Sequence, residues 1–161
     1  MTEPSPAGPT PTGPLPTSLS ALRALFTRAT PAATPPAPGD YRISFVGPAA
    51  LRVAAPRAIA LGGMPGWRGK RIAAGGSATN LVDDDETGAL REVLPMRVTL
   101  EPSWLDGGQV IVCSYGADGP VPWRWVRDEF RALDDRRLLG LTFVGGRWSR
   151  IAAAPLLLTR G

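Results

Sequence analysis

The chain has 161 residues and a mass of 17.0 kDa, with 19 Gly, 18 Pro, one Cys and no His. The missing histidine excludes Ser-His-Asp and Cys-His catalysis, His-ligated haem and His-bearing zinc sites; one cysteine excludes an internal disulfide, a CxxC pair and a Cys₄ site. The net charge of +4 is spread thinly and is interrupted by the acidic run Asp83–Glu86, which argues against a nucleic-acid surface despite a sequence pI near 10.2.

Residues 1–16 lack the basic start and apolar stretch of a signal peptide. The longest apolar run, Ile151–Leu158, is interrupted by Pro155 and falls short of the ~20 residues that span a bilayer. A cytoplasmic protein without a membrane span is expected. Of the basic residues only Lys70 is lysine. That skew, with abundant Ala, Pro and Gly, matches a GC-rich bacterial genome.

Residues 1–40 are read as a Pro-rich tail carrying one short helix. Residues 1–18 offer only Met1, Ala7 and Leu15 as apolar side chains, too few to offset ~1–2 kcal/mol of backbone entropy per residue, so 1–16 are expected to be disordered. A helix follows over 17–29. Thr17 or Ser18 caps it, Leu19, Leu22, Leu25 and Phe26 share one face, and Pro31 stops it. A helix this short is marginal alone and must dock, on the chain's own domain or on a protein partner. Pro31–Gly39 reads as a linker.

From Tyr41 to the end a β-barrel domain is expected, over 41–161. Tyr41–Val46 alternates as a half-buried strand, and Pro48 opens a helix over Ala49–Leu61 that Pro56 kinks or ends early. Strands are expected at Trp67–Ile72, Ala78–Val82 and Leu90–Leu100, with Pro95 marking an edge or a bulge. Asp106-Gly107-Gly108 turns the chain into Gln109–Tyr115. Trp123–Leu133 reads as a strand joined through Asp134-Asp135 to Leu138–Val144, and Ile151–Thr159 is the last strand. About eight antiparallel strands with one or two short helices make a mainly β, up-and-down, lipocalin-like barrel, a size that encloses side chains or one small ligand.

Gly66-Trp67-Arg68-Gly69-Lys70 resembles the signature of the bacterial GXWXG family of uncharacterised domains, and the Gly-x-Trp that opens the barrel of lipocalin-like (calycin-like) proteins. Pro65 stands where the family pattern has a further glycine. Trp125–Arg131, followed by Leu138-Leu139-Gly140-Leu141, resembles a segment of hypothetical bacterial proteins of this kind. The resemblance covers 41–161 at most. It implies a small antiparallel barrel and supplies no catalytic residue.

Candidate ligand-binding residues are Trp67, Tyr115, Trp123, Trp125 and Arg127. Trp67 is large enough to plug a barrel end or to wall a pocket, and Arg147, Arg150 or Arg160 could stack on it. On a strand, Trp123, Trp125, Arg127 and Glu129 would share one face, with Asp128 and Phe130 on the other. If the tryptophan face points inward, Arg127 and Glu129 pair as buried charges, or Arg127 grips a carboxylate or phosphate. Tyr115 offers a hydroxyl. Cys113 reads as an inert core thiol. Asp83–Glu86 lacks the spacing of a calcium loop and reads as a solvated turn. No catalytic residue, metal or cofactor is expected. The leading functional expectation is a non-catalytic barrel for a small apolar or amphipathic ligand, including an anionic one. The alternative is an interaction module using the N-terminal helix and Pro-rich tail; an enzyme using Tyr, Asp/Glu and Arg is the third reading.

Overall fold

Eight antiparallel strands follow one another around a closed barrel in the computed structural model, which describes residues 13–146 and 153–161. In chain order the elements are helix α1 (Leu19–Arg28), strand β1 (Gly39–Phe45), helix α2 (Ala49–Leu61), β2 (Trp67–Ala73), β3 (Ser77–Asp83), β4 (Leu90–Pro102), β5 (Gln109–Ser114), β6 (Val126–Ala132), β7 (Arg137–Val144) and β8 (Ala154–Arg160). Pairing of β1 with β8, from Tyr41–Arg160 to Phe45–Leu156, closes the circle and leaves no sheet edge. The expected disorder of residues 1–16 bears mainly on 1–12, outside the described residues; Leu15 packs against the barrel. Ile151 and Ala152 of the expected last strand also lie outside the described residues.

The register explains several sequence signals. Leu94 and Pro95 together face the single Thr79, because pairing steps from Asn80–Val93 to Ala78–Met96. This is a β-bulge, where the missing proline N–H costs no ladder bond. Gly69 lies in the Trp67 motif with φ +149°, and a Cβ there would run into the Tyr41 carbonyl. The motif's second glycine thus lets β1 and β2 approach. Asp134 accepts from the amides of Arg136 and Arg137, closing the β6–β7 turn.

Two apolar layers are built from the same strands. Tyr41, Ile72, Met96, Ile111, Phe130 and Leu158 fill the barrel interior. On the outer wall Val110, Val112, Leu139, Leu141 and Phe143 pack with Leu22 and Phe26 of α1. This second layer is why Val110–Cys113 is apolar without alternation: both faces of β5 are covered. Ser18 caps α1 by accepting from the Ala21 amide at 3.2 Å, and Leu22 and Phe26 are fully buried, worth roughly 1.5–3 kcal/mol each. The apolar face of α1 is therefore occupied by the chain's own barrel.

The Pro31–Gly39 segment is tied to the barrel end away from α2. The Ala32 amide donates to the Gln109 carbonyl at 3.0 Å, Ala32 packs on the interior cluster, and the Tyr41 hydroxyl donates to the Ala37 carbonyl at 2.7 Å. At the opposite end α2 spans β1 to β2.

One expected element is corrected. The strand expected from Trp123 begins only at Val126, and Trp123–Trp125 form a single turn of 3-10 helix. The Arg124 amide reaches the Pro120 carbonyl and the Trp125 amide the Pro122 carbonyl, both at 3.0 Å. Two prolines ahead of the tryptophans favour this turn over ladder pairing. The tryptophans thus do not share a strand face with Arg127 and Glu129.

Candidate functional site

At the α2 end the barrel interior is not filled. A cavity of about 380 Å³ lies there, walled by Phe45, Trp67, Trp123, Val126 and Leu156 and roofed by α2. The roof is made of Leu51, Ala54, Ala55, Ala58 and Ile59. Alanines on the lining face of α2 leave the space beneath it open. No residue of α2 is buried, Pro48 provides no side-chain cap, and Pro56 sits inside the helix.

Strand alternation places polar groups at the inner end of this space. Lys70 on β2 and Asp128 on β6 both point inward, and their Nζ and Oδ2 are 2.9 Å apart. Both are buried, at 1 % and 4 % exposure. Lys70 also donates to Asn80 Oδ1 at 3.2 Å and to Met96 Sδ at 3.5 Å. Thr142 Oγ1 donates to Asp128 Oδ1 at 2.7 Å, and Asn80 Nδ2 donates to the Tyr115 hydroxyl at 2.8 Å. Burial works against the Lys70 charge, but the neighbouring Asp128 carboxylate, together with Tyr115 and Cys113, outweighs it and holds the ammonium above the ordinary lysine range. Burial pushes the Tyr115 hydroxyl up, and pushes the Cys113 thiol up to about 12.

Three of the five sequence candidates meet at this cavity. Trp67 stands at its wall, edge-on to Phe45, with its indole N–H donating to the Gly69 carbonyl at 2.7 Å. The cation over its ring is Lys70, at 5.2 Å from the centroid. Arg147 and Arg150 lie outside the described residues, and Arg160 is on β8 at the other end of the barrel. Trp123 is buried, packs against Tyr115 with centroids 5.8 Å apart, and donates to the Gly62 carbonyl just after α2 at 2.8 Å.

Trp125 and Arg127 are elsewhere. They line a wider groove of about 690 Å³ outside the wall, together with Glu101, Trp104 and Arg124. Trp125 is half exposed there. Arg127 points outward from β6, and each of its three guanidinium nitrogens donates to a protein group. Its Nε donates to Glu129 Oε1 at 2.9 Å, its other nitrogens to Glu101 and the Pro102 carbonyl, and it lies 4.5 Å from the Trp104 ring centroid. Glu129 in turn accepts from the Ser103 hydroxyl and the Trp104 amide. The pairing expected between Arg127 and Glu129 is present, on the outer side beneath the β4–β5 connection. Held by two carboxylates and a backbone carbonyl, this cluster positions a loop. The wider groove therefore offers a weaker case for a site than the smaller inner cavity.

Lys70, Asp128, Asn80 and Thr142 are the site residues missed by the sequence reading. One signal pointed to Lys70: it is the single lysine among eighteen basic residues. A bias towards arginine elsewhere makes a retained ammonium conspicuous, and a guanidinium's planar fork would not substitute for a compact point charge in this interior. Asp128 carried a weaker signal, the alternation that set it opposite Arg127.

No family model matches the chain, and no curated protein matches it. A crystal structure of a protein from Thermomonospora curvata is similar over 89 % of this chain and 88 % of that one, with a TM-score of 0.64 and 22 % identity. A likeness at this identity extends to the fold. The chain is thus an eight-stranded antiparallel barrel with a solved structural counterpart.

Proposed function

We propose that the chain is a lipocalin-like binding barrel of the GXWXG or calycin type, which takes one small apolar or amphipathic molecule and carries out no reaction on it. The observation that carries this reading is the unfilled space beneath α2, apolar on its walls and polar only at its inner end. Ligand sites are commonly of this composition, with volumes of about 300–1,000 Å³. The 380 Å³ here suits a compact molecule. Trp67, Trp123 and Tyr115 are its aromatic contacts.

The test is native mass spectrometry of the purified protein after exposure to a cell extract, together with tryptophan fluorescence. A retained small molecule, whose binding is lost when Ala58→Trp fills the roof, supports the reading. An unliganded protein whose fluorescence responds to no apolar probe sinks it.

Asp128 supports a second reading. A buried carboxylate beside a tyrosine hydroxyl in a cavity is a candidate general base. Against it, both carboxylate oxygens already accept hydrogen bonds, from Lys70 and Thr142. Release of the retained molecule chemically unchanged separates binding from turnover.

A further inference from the structure

Resting on that binding reading, we propose that the ligand's polar end is uncharged and carries both a hydrogen-bond donor and an acceptor, as a hydroxyl or a primary amide does. The inference follows from which polar valences at the inner end of the cavity are already used. An ammonium has three N–H donors. Those of Lys70 go to Asp128, Asn80 and the Met96 sulfur. The two N–H groups of the Asn80 amide go to Tyr115 and to the Leu94 carbonyl, and its oxygen accepts from Lys70.

What remains is specific. Asp128 accepts one bond on each oxygen, from Lys70 and from Thr142, although a carboxylate has about four acceptor positions. The Tyr115 oxygen accepts from Asn80, while its own proton goes to no group among the described contacts. Asp128 and Tyr115 both line the cavity. An entering ligand therefore meets an acceptor and a donor.

Charge narrows the class further. The Lys70 ammonium and the Asp128 carboxylate cancel, so the inner end of the cavity is neutral as a whole. A carboxylate or phosphate headgroup would find Lys70's donors spent and the Asp128 charge opposing it. An alkylammonium would gain Asp128 only in competition with Lys70 at 2.9 Å. Either ion would also lose its water in an apolar space with no counter-ion left for it. A hydroxyl or amide donates to Asp128, accepts from Tyr115, and leaves the ion pair intact. The anionic ligand expected from an inward-facing arginine loses its basis, since Arg127 faces the outer groove.

The experiment uses one chain length with four headgroups: octan-1-ol, octanamide, octanoate and octylammonium, titrated at pH 7 by tryptophan fluorescence and calorimetry. Octanol and octanamide should bind at least about ten-fold more tightly than either ion. Tyr115→Phe should weaken octanol severalfold and bring it closer to the two ions, while far-ultraviolet circular dichroism stays unchanged. Binding of octanoate or octylammonium as tight as that of octanol overturns the headgroup inference and leaves the binding barrel standing. No binding by any of the four, with the protein folded, overturns both.

Discussion

The two helices cover the barrel in opposite ways. Helix α1 presses Leu22 and Phe26, both fully buried, onto the outer wall. Its last turn is held by Arg131, whose guanidinium donates to the Phe26 carbonyl at 2.9 Å, pairs with Asp106 at 2.7 Å, and lies 4.7 Å from the Phe26 ring centroid. A cation at a helix C-terminus satisfies carbonyls that lack partners and complements the dipole. Helix α2 is longer, yet has no buried residue, lacks a side-chain cap and contains a proline. One helix completes a core, and the other roofs a space. The polar clusters under them differ likewise: Arg127 and Arg131 outside are paired with carboxylates and backbone carbonyls of the chain itself, whereas Asp128 and Tyr115 inside keep capacity for a guest.

The contrast can be broken most directly at the fully buried side chains. Phe26→Ala should cost about 3–5 kcal/mol in denaturant unfolding, while Leu51→Ala in α2 should cost under about 1 kcal/mol and act mainly on octanol affinity. Equal losses would abolish the distinction between the helices. Lys70→Met tests the inner ion pair. It leaves the Asp128 carboxylate buried without its counter-charge and should destabilise by about 3–5 kcal/mol, with much of the loss recovered when Asp128→Leu is added. A single variant as stable as the parent would show that the pair is not held dry.

Acid and alkali should attack the two regions separately. Burial raises the Asp106 carboxyl, but hydrogen bonds from Arg131 and the Gly108 amide, with the Arg131 charge, together outweigh it and the net shift is downward. A depressed carboxyl contributes stability above its unfolded value, near 4, and loses it as the pH falls through its folded value. The outer clamp therefore weakens below about pH 4, and Asp106→Asn should flatten that acid limb. Inside, Cys113 is raised from about 9 to about 12 by burial, first opposed by Lys70. Its contribution is complete below about 9 and declines as the pH rises towards about 12, by up to ~1.4 kcal/mol per unit. Cys113→Ala should remove that slope from stability measured between pH 9 and 11.

The smallest expected effect is at Pro56. Proline inside an exposed helix costs up to ~3 kcal/mol of helix stability, but a roof loosely tied to the barrel passes little of this to global unfolding. Pro56→Ala should raise global stability by under about 1 kcal/mol while slowing amide exchange across residues 57–61. A gain near the full helical value would place α2 in the same cooperative unit as the barrel.

Much of the architecture was legible in local pattern because local physics governs it. The Ser18 cap, the Leu22 and Phe26 spacing, the bounds of α2 at Pro48 and Gly62, and the turns at Asp106-Gly107 and Asp134-Asp135 each depend on residues a few positions apart. The reading failed at Trp123–Trp125, where aromatic residues favouring a strand were overridden by the prolines before them. It also could not say which face of β6 points inward, because Arg127-Asp128-Glu129 places charges on both.

By itself, then, the sequence determined the number and order of the strands, the helix positions and the chemistries that are excluded, since period, capping and composition are properties of neighbouring residues. Closure decided the rest. Only when β1 meets β8 does the barrel acquire an inside. Lys70 and Asp128, fifty-eight positions apart in sequence, then become a 2.9 Å pair at the inner end of a cavity. Burial and charge pairing depend on what the curved sheet brings together across the chain, and no local pattern encodes that distance.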